Sequence, residues 1–476
     1  RALFLCDRDE LRKQGLGAFQ DEFGSDAAAA TTGNPELNAR VVIATYQTLG
    51  VDTEEGDASF LTRNYPENYF SHIIIDECHR SAWGKWSEVL YRNSEAIQIG
   101  LTATPRGFEY TEESEASRGD KQITSDNHRY FGDPVYEYSL GQGIEDGYLA
   151  AMEIICTNTF INRHFDSERK TGLRRIDLDD AKITDSIKGN DINPDDIDDE
   201  YSPGSFESQV LIPERVDKWC RNLFEYLVAS GNPEQKTIIF CVRDRHADDV
   251  AIALNNIYAE WCEQNGKNPV NDYAFKCTAA DGKEFLSEIR GSTRHHFIAT
   301  TVDLLSTGVD VPPVTNIVFF RYVNSPISFY QMVGRGTRLH PPTNKLMFRV
   351  YDYTNATRLF GEDFIKKAGK PKNPERGWLD PDGGGGSNNP ITVEGIDISV
   401  SDAGIYILTT DDSGQTVPVT LEEYKQKLAA KLVADIPSLD EFREIWVDPS
   451  QRSEMLNQLP DSGRAPLVIR TVTDME

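Results

Sequence analysis

Three things are scarce in this chain: long apolar runs, paired cysteines and basic residues. No stretch approaches the ~20 apolar residues that a membrane-spanning helix needs, and no secretory signal is visible. Neither a membrane protein nor an exported one is therefore expected. The seven cysteines (Cys6, Cys78, Cys156, Cys220, Cys241, Cys262, Cys277) are scattered without a Cys-x-x-Cys pair. That argues against a zinc site or a disulfide framework and makes the reduced cytoplasm the natural compartment. Lys and Arg number 49 against 77 Asp and Glu, a formal net charge of −28. A phosphate backbone selects Lys and Arg, so this balance leaves either no nucleic-acid partner or a narrow basic cleft on an acidic exterior. At 476 residues the chain is too long for one core, and two or three domains are expected.

Against these absences stands Ile73-Ile74-Ile75-Asp76-Glu77-Cys78-His79-Arg80, an apolar strand that ends abruptly in two carboxylates. A continuous Val/Ile/Leu run is the pattern of a parallel strand buried on both faces. In open α/β sheets ligands sit outside the carboxyl ends of such strands. This is the Walker B arrangement: Asp76 is placed to hold Mg²⁺ on a nucleotide, and Glu77 to polarise the attacking water. An isolated Asp-Glu would more simply be an acidic strand end capping a helix; two further stretches decide against that. Ile97-Gln98-Ile99-Gly100-Leu101-Thr102-Ala103-Thr104-Pro105 is a second buried strand with a Thr-Ala-Thr-Pro turn, and Gln331-Met332-Val333-Gly334-Arg335-Gly336-Thr337-Arg338 carries arginines in helical register.

Together these three stretches resemble superfamily 2 helicases and translocases. Gln331, Arg335 and Arg338 are spaced i, i+4 and i+7 and are expected on one helical face. A guanidinium is always charged and forks to suit a phosphate in its transition state. Each lobe is expected to give half of an ATP site, so that hydrolysis depends on closure. Thr102 and Thr104 would hydrogen-bond towards the acid pair, and His79 would sense nucleotide state. The stretch Thr301–Asp310 resembles a loop that contacts both nucleotide and nucleic acid, with Gly308 near the phosphates and Asp310 near the ribose or an arginine. Thr45, Gln47 and Thr48, with Asp7-Arg8, are expected along the opposite edge of the first lobe as contacts to a DNA backbone. His295-His296 lacks a third ligand at suitable spacing. Glu423-Tyr424-Lys425 after Asp412 matches a nuclease pattern that charged sequences produce by chance, and is rejected.

The organisation follows from composition. Strands alternate with helical stretches over 1–150, which argues for βαβ units and a parallel sheet. Residues 151–210 read as a connector with an acidic insertion, flexible between about 165 and 205. A second α/β lobe spans 211–375, a Gly-rich linker 376–390, and a C-terminal segment 391–476 has a hairpin near Asp411–Gly414 and a helix from about Leu421. The expected fold is α/β: two RecA-like parallel-sheet lobes in tandem, then a small α+β segment leading to a helical region.

Flanking residues narrow the resemblance to the motor (R) subunits of type I restriction enzymes. Arg1-Ala2-Leu3-Phe4-Leu5-Cys6-Asp7-Arg8 is similar to the strand after their Walker A helix, and Asp76-Glu77-Cys78-His79-Arg80-Ser81 to their Walker B. Tyr130–Ser139 with Ile144–Leu149 resembles their interlobe segment, Lys236–Cys241 with His246-Ala247-Asp248 their second lobe, and Leu439–Trp446 the entry to their helical region. No GxxxxGK[ST] loop occurs in these residues. Because the chain starts at Arg1 in mid-strand, that loop and a nuclease domain are expected upstream, and this stretch alone is expected to bind ATP poorly. The resemblance implies an ATP- and Mg²⁺-dependent translocase that pumps double-stranded DNA towards cleavage, with methyltransferase and specificity subunits as partners. The alternatives are a repair or other restriction-type helicase, and a nucleic-acid-binding module without catalysis.

The acidity is expected to reflect a salt-adapted cytoplasm, where high net charge maintains solubility. Thermal unfolding across a KCl series should then show the fold retained in molar salt. Best stability in dilute buffer, with loss of fold in molar KCl, would refute that expectation.

Overall fold

The computed structural model describes residues 1–6, 9–50, 59–78, 88–102, 130–161, 173–178, 181–201, 205–278, 286–291, 295–302, 311–343, 345–361, 390–410, 416–426, 438–448 and 450–451. The chain forms two units, one of Arg1–Tyr110 with Ala116–Glu137, the other of Thr111–Glu115 with Tyr138–Glu476.

The first unit is a five-stranded sheet of β1 (Ala2–Cys6), β2 (Ala27–Ala29), β3 (Val41–Thr45), β4 (His72–Ile75) and β5 (Ile97–Gly100), in the order β2-β3-β1-β4-β5. Every pairing is parallel. Alternation along β1 divides the packing. Ala2 and Phe4 meet Leu16 and Phe19 of the helix Asp9–Phe23, while Leu3 and Leu5 join Val42, Ala44, Ile73 and Ile75 in the larger core on the other face. Both faces of the central strands are therefore covered, as the apolar runs required.

The second unit contains β6 (Ala151–Ile161), β7 (Leu173–Arg174), β8 (Lys182–Asp185), β9 (Glu200–Tyr201), β10 (Val210–Leu211), β11 (Thr237–Phe240), β12 (Ala274–Lys276), β13 (Ile298–Thr301), β14 (Asn316–Phe319), β15 (Met347–Asp352), β16 (Ile391–Glu394), β17 (Ile398–Thr410) and β18 (Thr416–Thr420). Its main sheet has eight strands in the order β12-β13-β11-β14-β15-β6-β17-β18, parallel from β12 to β6 and antiparallel beyond. Strand β14 shows how the layers form. Val318 and Phe320 pack with the helices Pro213–Ala229 and Asp244–Gln264, and Ile317 and Phe319 pack with Phe329, Met332 and Val333 of the helix Pro326–Val333. Two α/β units in tandem are thus the fold, the first all parallel and the second with a parallel sheet extended by antiparallel strands, as the alternation of strands and helices predicted in outline.

Boundaries differ from the expected ones. The division falls at Glu137/Tyr138 rather than at 150. Residues 138–150 go with the second unit because Leu149 bridges Arg338 and Ala150 N–H donates to Thr337 O at 2.7 Å. Strand β6, expected in the connector, lies inside the second sheet, and β17 and β18 extend that sheet rather than forming a separate segment. The hairpin expected near 411–414 exists as the antiparallel pairing of Thr410 with Thr416. The described part of the acidic insertion is not a loose connector. Leu173, Leu178, Ile183, Ile197, Tyr201, Phe206 and Val210 form a core with Ile391, Val393, Ile396 and Ile398, under a three-stranded sheet β10-β16-β8. Four of its residues, Ile391, Val393, Ile396 and Ile398, come from beyond the 376–390 linker, so local composition could not reveal it. Residues 376–389 of that linker lie outside the described residues.

Where the insertion meets the main sheet, a charge pair is buried. Arg215 Nη1 lies 3.1 Å from Glu207 Oε1, with both side chains 2% exposed, and the guanidinium stacks 3.7 Å from the Trp219 ring. Burial, only partly offset by Arg215, pushes Glu207 from 4.5 up to about 7. Burial, reinforced by the cations Arg215 and Arg243, pushes His246 from 6.5 down to about 3. The fold thus prefers a protonated Glu207 and a neutral His246. The Glu207 contribution is complete below pH 4.5 and is lost as pH rises through about 7. The His246 contribution is present above pH 6.5 and is lost as pH falls towards 3. In urea unfolding at a pH above about 7, where Glu207 is ionised beside Arg215, Arg215→Ala should cost ~3–5 kcal/mol, because it removes the partner of a buried carboxylate. Glu207→Gln should flatten the decline in stability between pH 4.5 and 7 while leaving the loss on the acid side. An unchanged slope would show that Glu207 titrates alike in the folded and unfolded chains.

Candidate functional site

The acid pair is set by the sheet. Asp76 N–H continues the ladder to Leu5 O at 2.9 Å, Leu101 N–H donates to Ile75 O at 2.8 Å, and Cys78 N–H to Leu101 O at 2.9 Å. Between these anchors the chain must turn within one residue, and Glu77 takes a left-handed conformation with φ 52°. For a residue with a Cβ such a conformation costs of order 1–3 kcal/mol, and it persists only where neighbours over-determine it. Asp76 Oδ1 accepts the Glu77 N–H at 3.1 Å. Both acids are half-buried, and Glu77 Oε2 is screened from solvent. Beneath them Cys78 is buried, and its thiol is pushed up to about 12 by burial first and then by the Glu77 carboxylate, with a further contribution from Asp76. The thiol therefore stays protonated and serves as packing. Gly100 leaves room for it, since a Cβ there would sit 2.8 Å from Cys78 Sγ and 3.2 Å from the Phe131 ring. Sequence reasoning missed this contact, whose one trace is a glycine ending an isoleucine-rich strand.

Because β1 to β5 are all parallel, their carboxyl ends share one edge. Thr45, Gln47 and Thr48 follow β3 and therefore lie on the same edge as Asp76 and Glu77, with β1 between them, not on the opposite edge. Thr45 is buried, accepts the Thr48 N–H at 3.2 Å and hydrogen-bonds the Thr48 hydroxyl at 3.0 Å. Its side chain shapes the strand-end turn, and Gln47 is the exposed member of the group. Thr102 follows β5 at this edge and is exposed. Arg8, His79, Thr104, Gly308 and Asp310 lie outside the described residues.

In the second unit the helix ends at Val333, capped by Gly334, so Gln331, Arg335 and Arg338 do not share one helical face. Arg335 stays close to the helix, its Nε donating to Gln331 O at 3.2 Å. The chain then turns at Gly336 across the Phe348 ring, where a Cβ would lie 2.2 Å from a ring carbon. Thr337 is buried, and Arg338 is exposed in an antiparallel bridge with Leu149. Thr301 is fully buried at the end of β13, a position that packs the strand end rather than presenting a side chain to DNA.

Among the described residues no trio of His, Cys, Asp or Glu could hold a metal by itself. Magnesium asks for less. It keeps several waters and takes one or two carboxylates together with substrate phosphates, and a single half-buried Asp76 at a strand end suits that demand.

Comparison with known proteins follows the same division. Residues 1–107 match the family model "Type III restriction enzyme, res subunit", and residues 216–340 match "Helicase conserved C-terminal domain". The chain is 29% identical to the Type I restriction enzyme EcoAI endonuclease subunit of Escherichia coli over 97% of its own length and 58% of that protein. It is 29% identical to the EcoKI endonuclease subunit of Escherichia coli K12 over 74% of the chain and 30% of that protein. A solved structure described as a fragment of an HsdR subunit of a type I restriction enzyme, from Vibrio vulnificus YJ016, is 28% identical with a TM-score of 0.49, covering 80% of this chain and 58% of that one. The resemblance to type I restriction subunits read from the sequence is borne out, and the chain spans about half the length, or less, of these curated relatives.

The close approach at Gly336 can be tested directly. Gly336→Ala should lower stability by ~1–3 kcal/mol through overpacking, and Phe348→Leu in the same molecule should relieve part of the loss. Strictly additive losses in chemical denaturation would show that the ring is not the obstacle.

Proposed function

We propose that this chain is the ATP-driven, double-stranded DNA translocase core of a type I restriction enzyme motor subunit. It would act in the cytoplasm with methyltransferase and specificity subunits that locate the target. The observation that carries the reading is the acid pair at the carboxyl end of β4, with Glu77 held left-handed between two backbone anchors. An acid fixed in this way orients a water at low reorganisation cost.

The roles follow from residue chemistry. Asp76 would hold Mg²⁺, which when bound neutralises phosphate charge and orients the leaving group. Glu77 would accept the proton of the attacking water as its oxygen bonds to the terminal phosphorus and the bond to the leaving diphosphate breaks. Arg335 and Arg338 would meet the charge that spreads over the transferred group. Their surroundings differ: the first is braced on a helix end, the second is exposed. Thr102, Thr104, His79, Gln331, Gly308 and Asp310 are proposed to contact nucleotide, and Arg8, Thr45, Gln47, Thr48 and Thr301 to position DNA. For the buried Thr45 that role would run through the turn to Thr48 that it shapes, and for the buried Thr301 through the end of β13 that it packs.

The deciding experiment is DNA-stimulated ATP hydrolysis, on this chain and on a form joined to an upstream segment bearing a GxxxxGK[ST] loop. Linear duplex and single-stranded DNA would be compared. Duplex-stimulated turnover in the joined form is expected. Strand displacement without a specificity subunit would favour a repair-type helicase, and no hydrolysis in either form would favour a binding module. In the active form Glu77→Gln should abolish turnover and spare ATP binding. Arg338→Ala should slow hydrolysis by roughly 10³–10⁵ as an arginine finger, and a loss of only about twofold would exclude that role.

A further inference from the structure

A buried carboxylate at the end of β15 links two segments that the proposed function uses. Asp352 is 1% exposed. Its Oδ1 accepts the N–H groups of Thr354 at 3.0 Å and Ala356 at 2.9 Å, and its Oδ2 accepts the Thr357 N–H at 2.7 Å and the Thr357 hydroxyl. Gathering these donors forces the chain to reverse, with Asn355 left-handed at φ 57°, and starts the short 3-10 helix Ala356–Phe360.

Two arms leave this turn. Along one, the Thr354 hydroxyl donates to Arg321 O at 2.8 Å, and Arg321 Nη1 donates to Val302 O at 3.1 Å, just past the end of β13. Along the other, Arg358, 5% exposed, donates from Nη2 to Val323 O at 3.0 Å and to Asn324 Oδ1 at 3.1 Å, and from Nη1 to Asn355 O at 2.9 Å. Val323 and Asn324 immediately precede Ser325, the cap of the helix that carries Gln331 and leads to Arg335. Phe360 then packs against Phe329 of that helix, ring centroids 4.7 Å apart, and against Tyr330 at 5.7 Å.

We propose that Asp352 is a positioning residue for ATP turnover: the turn it folds fixes both the start of the Pro326–Val333 helix and the chain leaving β13. The proposal rests on the function given above, yet asks no contact between Asp352 and nucleotide. Buried and fully hydrogen-bonded networks of this kind act as a unit, so a change at one end is felt at the other.

Hydrogen exchange on the chain itself decides whether the linkage exists, with no need of ATP. In Thr354→Val, which keeps the side-chain shape and removes the hydroxyl bridge, amides of residues 298–302 should exchange about tenfold faster through local opening. Thr354→Ser should restore protection. Arg358→Lys should have the same effect on residues 323–331, and Asp352→Asn on both segments together. Faster exchange confined to residues 352–361 would overturn the proposal. In the hydrolysis assay Arg358→Lys should lower kcat about tenfold with the KM for ATP within about twofold of the parent, the pattern of a misplaced group rather than a lost binding contact. An unchanged kcat alongside the spread in exchange would overturn the role in turnover. If the form joined to the upstream GxxxxGK[ST] segment, without substitutions, hydrolyses no ATP, the functional reading fails, and the exchange result alone decides whether Asp352 fixes both segments.

Discussion

The parallel pairing of β1 with β3 and β4 is the constraint on which the rest of the first unit depends. Its register, Leu3 beside Val42 and Ile73, Leu5 beside Ala44 and Ile75, buries these side chains completely on one face. A slip of one residue would turn the fully buried Ile73 and Ile75 to the opposite face and carry Asp76 with them. Register and function are therefore the same requirement. The pairing that hides the isoleucines also brings the acid pair to the edge where β1, β3 and β5 also end. Parallel strands make this unavoidable, because every carboxyl end emerges on one side.

The same logic accounts for what the sequence disclosed and what it withheld. Continuous apolar runs such as Ile73–Ile75 and Ile238–Phe240 announced buried parallel strands, and a carboxylate at the end of one announced a site. Those features are local. The extent of the second sheet is not local, since β6 pairs with β15 and β17, nearly two hundred residues or more away in sequence. The insertion misled for the same reason: its aspartates are contiguous and visible, while its isoleucines are single and meet partners from Ile391–Ile398. Spacing also overreached at Gln331, Arg335 and Arg338. A period of 3.6 assumes an uninterrupted helix, and Gly334 with Gly336 ends it to let the chain pass Phe348.

Strain marks both units at comparable places. Glu77 and Asn355 are left-handed residues bearing a Cβ, and each stands at or just past the carboxyl end of a strand. In each case an aspartate that ends or follows the strand accepts backbone N–H groups from the turn: Asp76 from Glu77, Asp352 from Thr354, Ala356 and Thr357. A short carboxylate is suited to this, because it reaches back to its own turn and accepts several N–H donors at once. The difference is exposure. Asp352 is sealed, so its bonds serve position alone, whereas Asp76 is half-buried and reachable.

The ending of the helix at Val333 gives Arg338 a neighbour that an unbroken helix would have denied it. Beyond Gly336 the chain is extended, and extended chain can pair: Arg338 bridges Leu149, and Ala150 and Ala151 donate to Thr337 O and Leu346 O at 2.7 and 3.0 Å. Leu149 follows a short helix whose Ser139 caps it through a reciprocal bond with Gln142, and that helix begins just after the unit boundary at Glu137. Backbone hydrogen bonds are stiffer couplings than side-chain contacts, because moving one strand of a bridge moves the other. The Arg338 backbone is thereby tied to residues 149–150, whereas the Arg335 side chain is tied to Gln331 O on the helix. The two arginines that the sequence presents as equivalent are thus attached to different parts of the second unit, one to its helix and one to the segment by which the chain enters it.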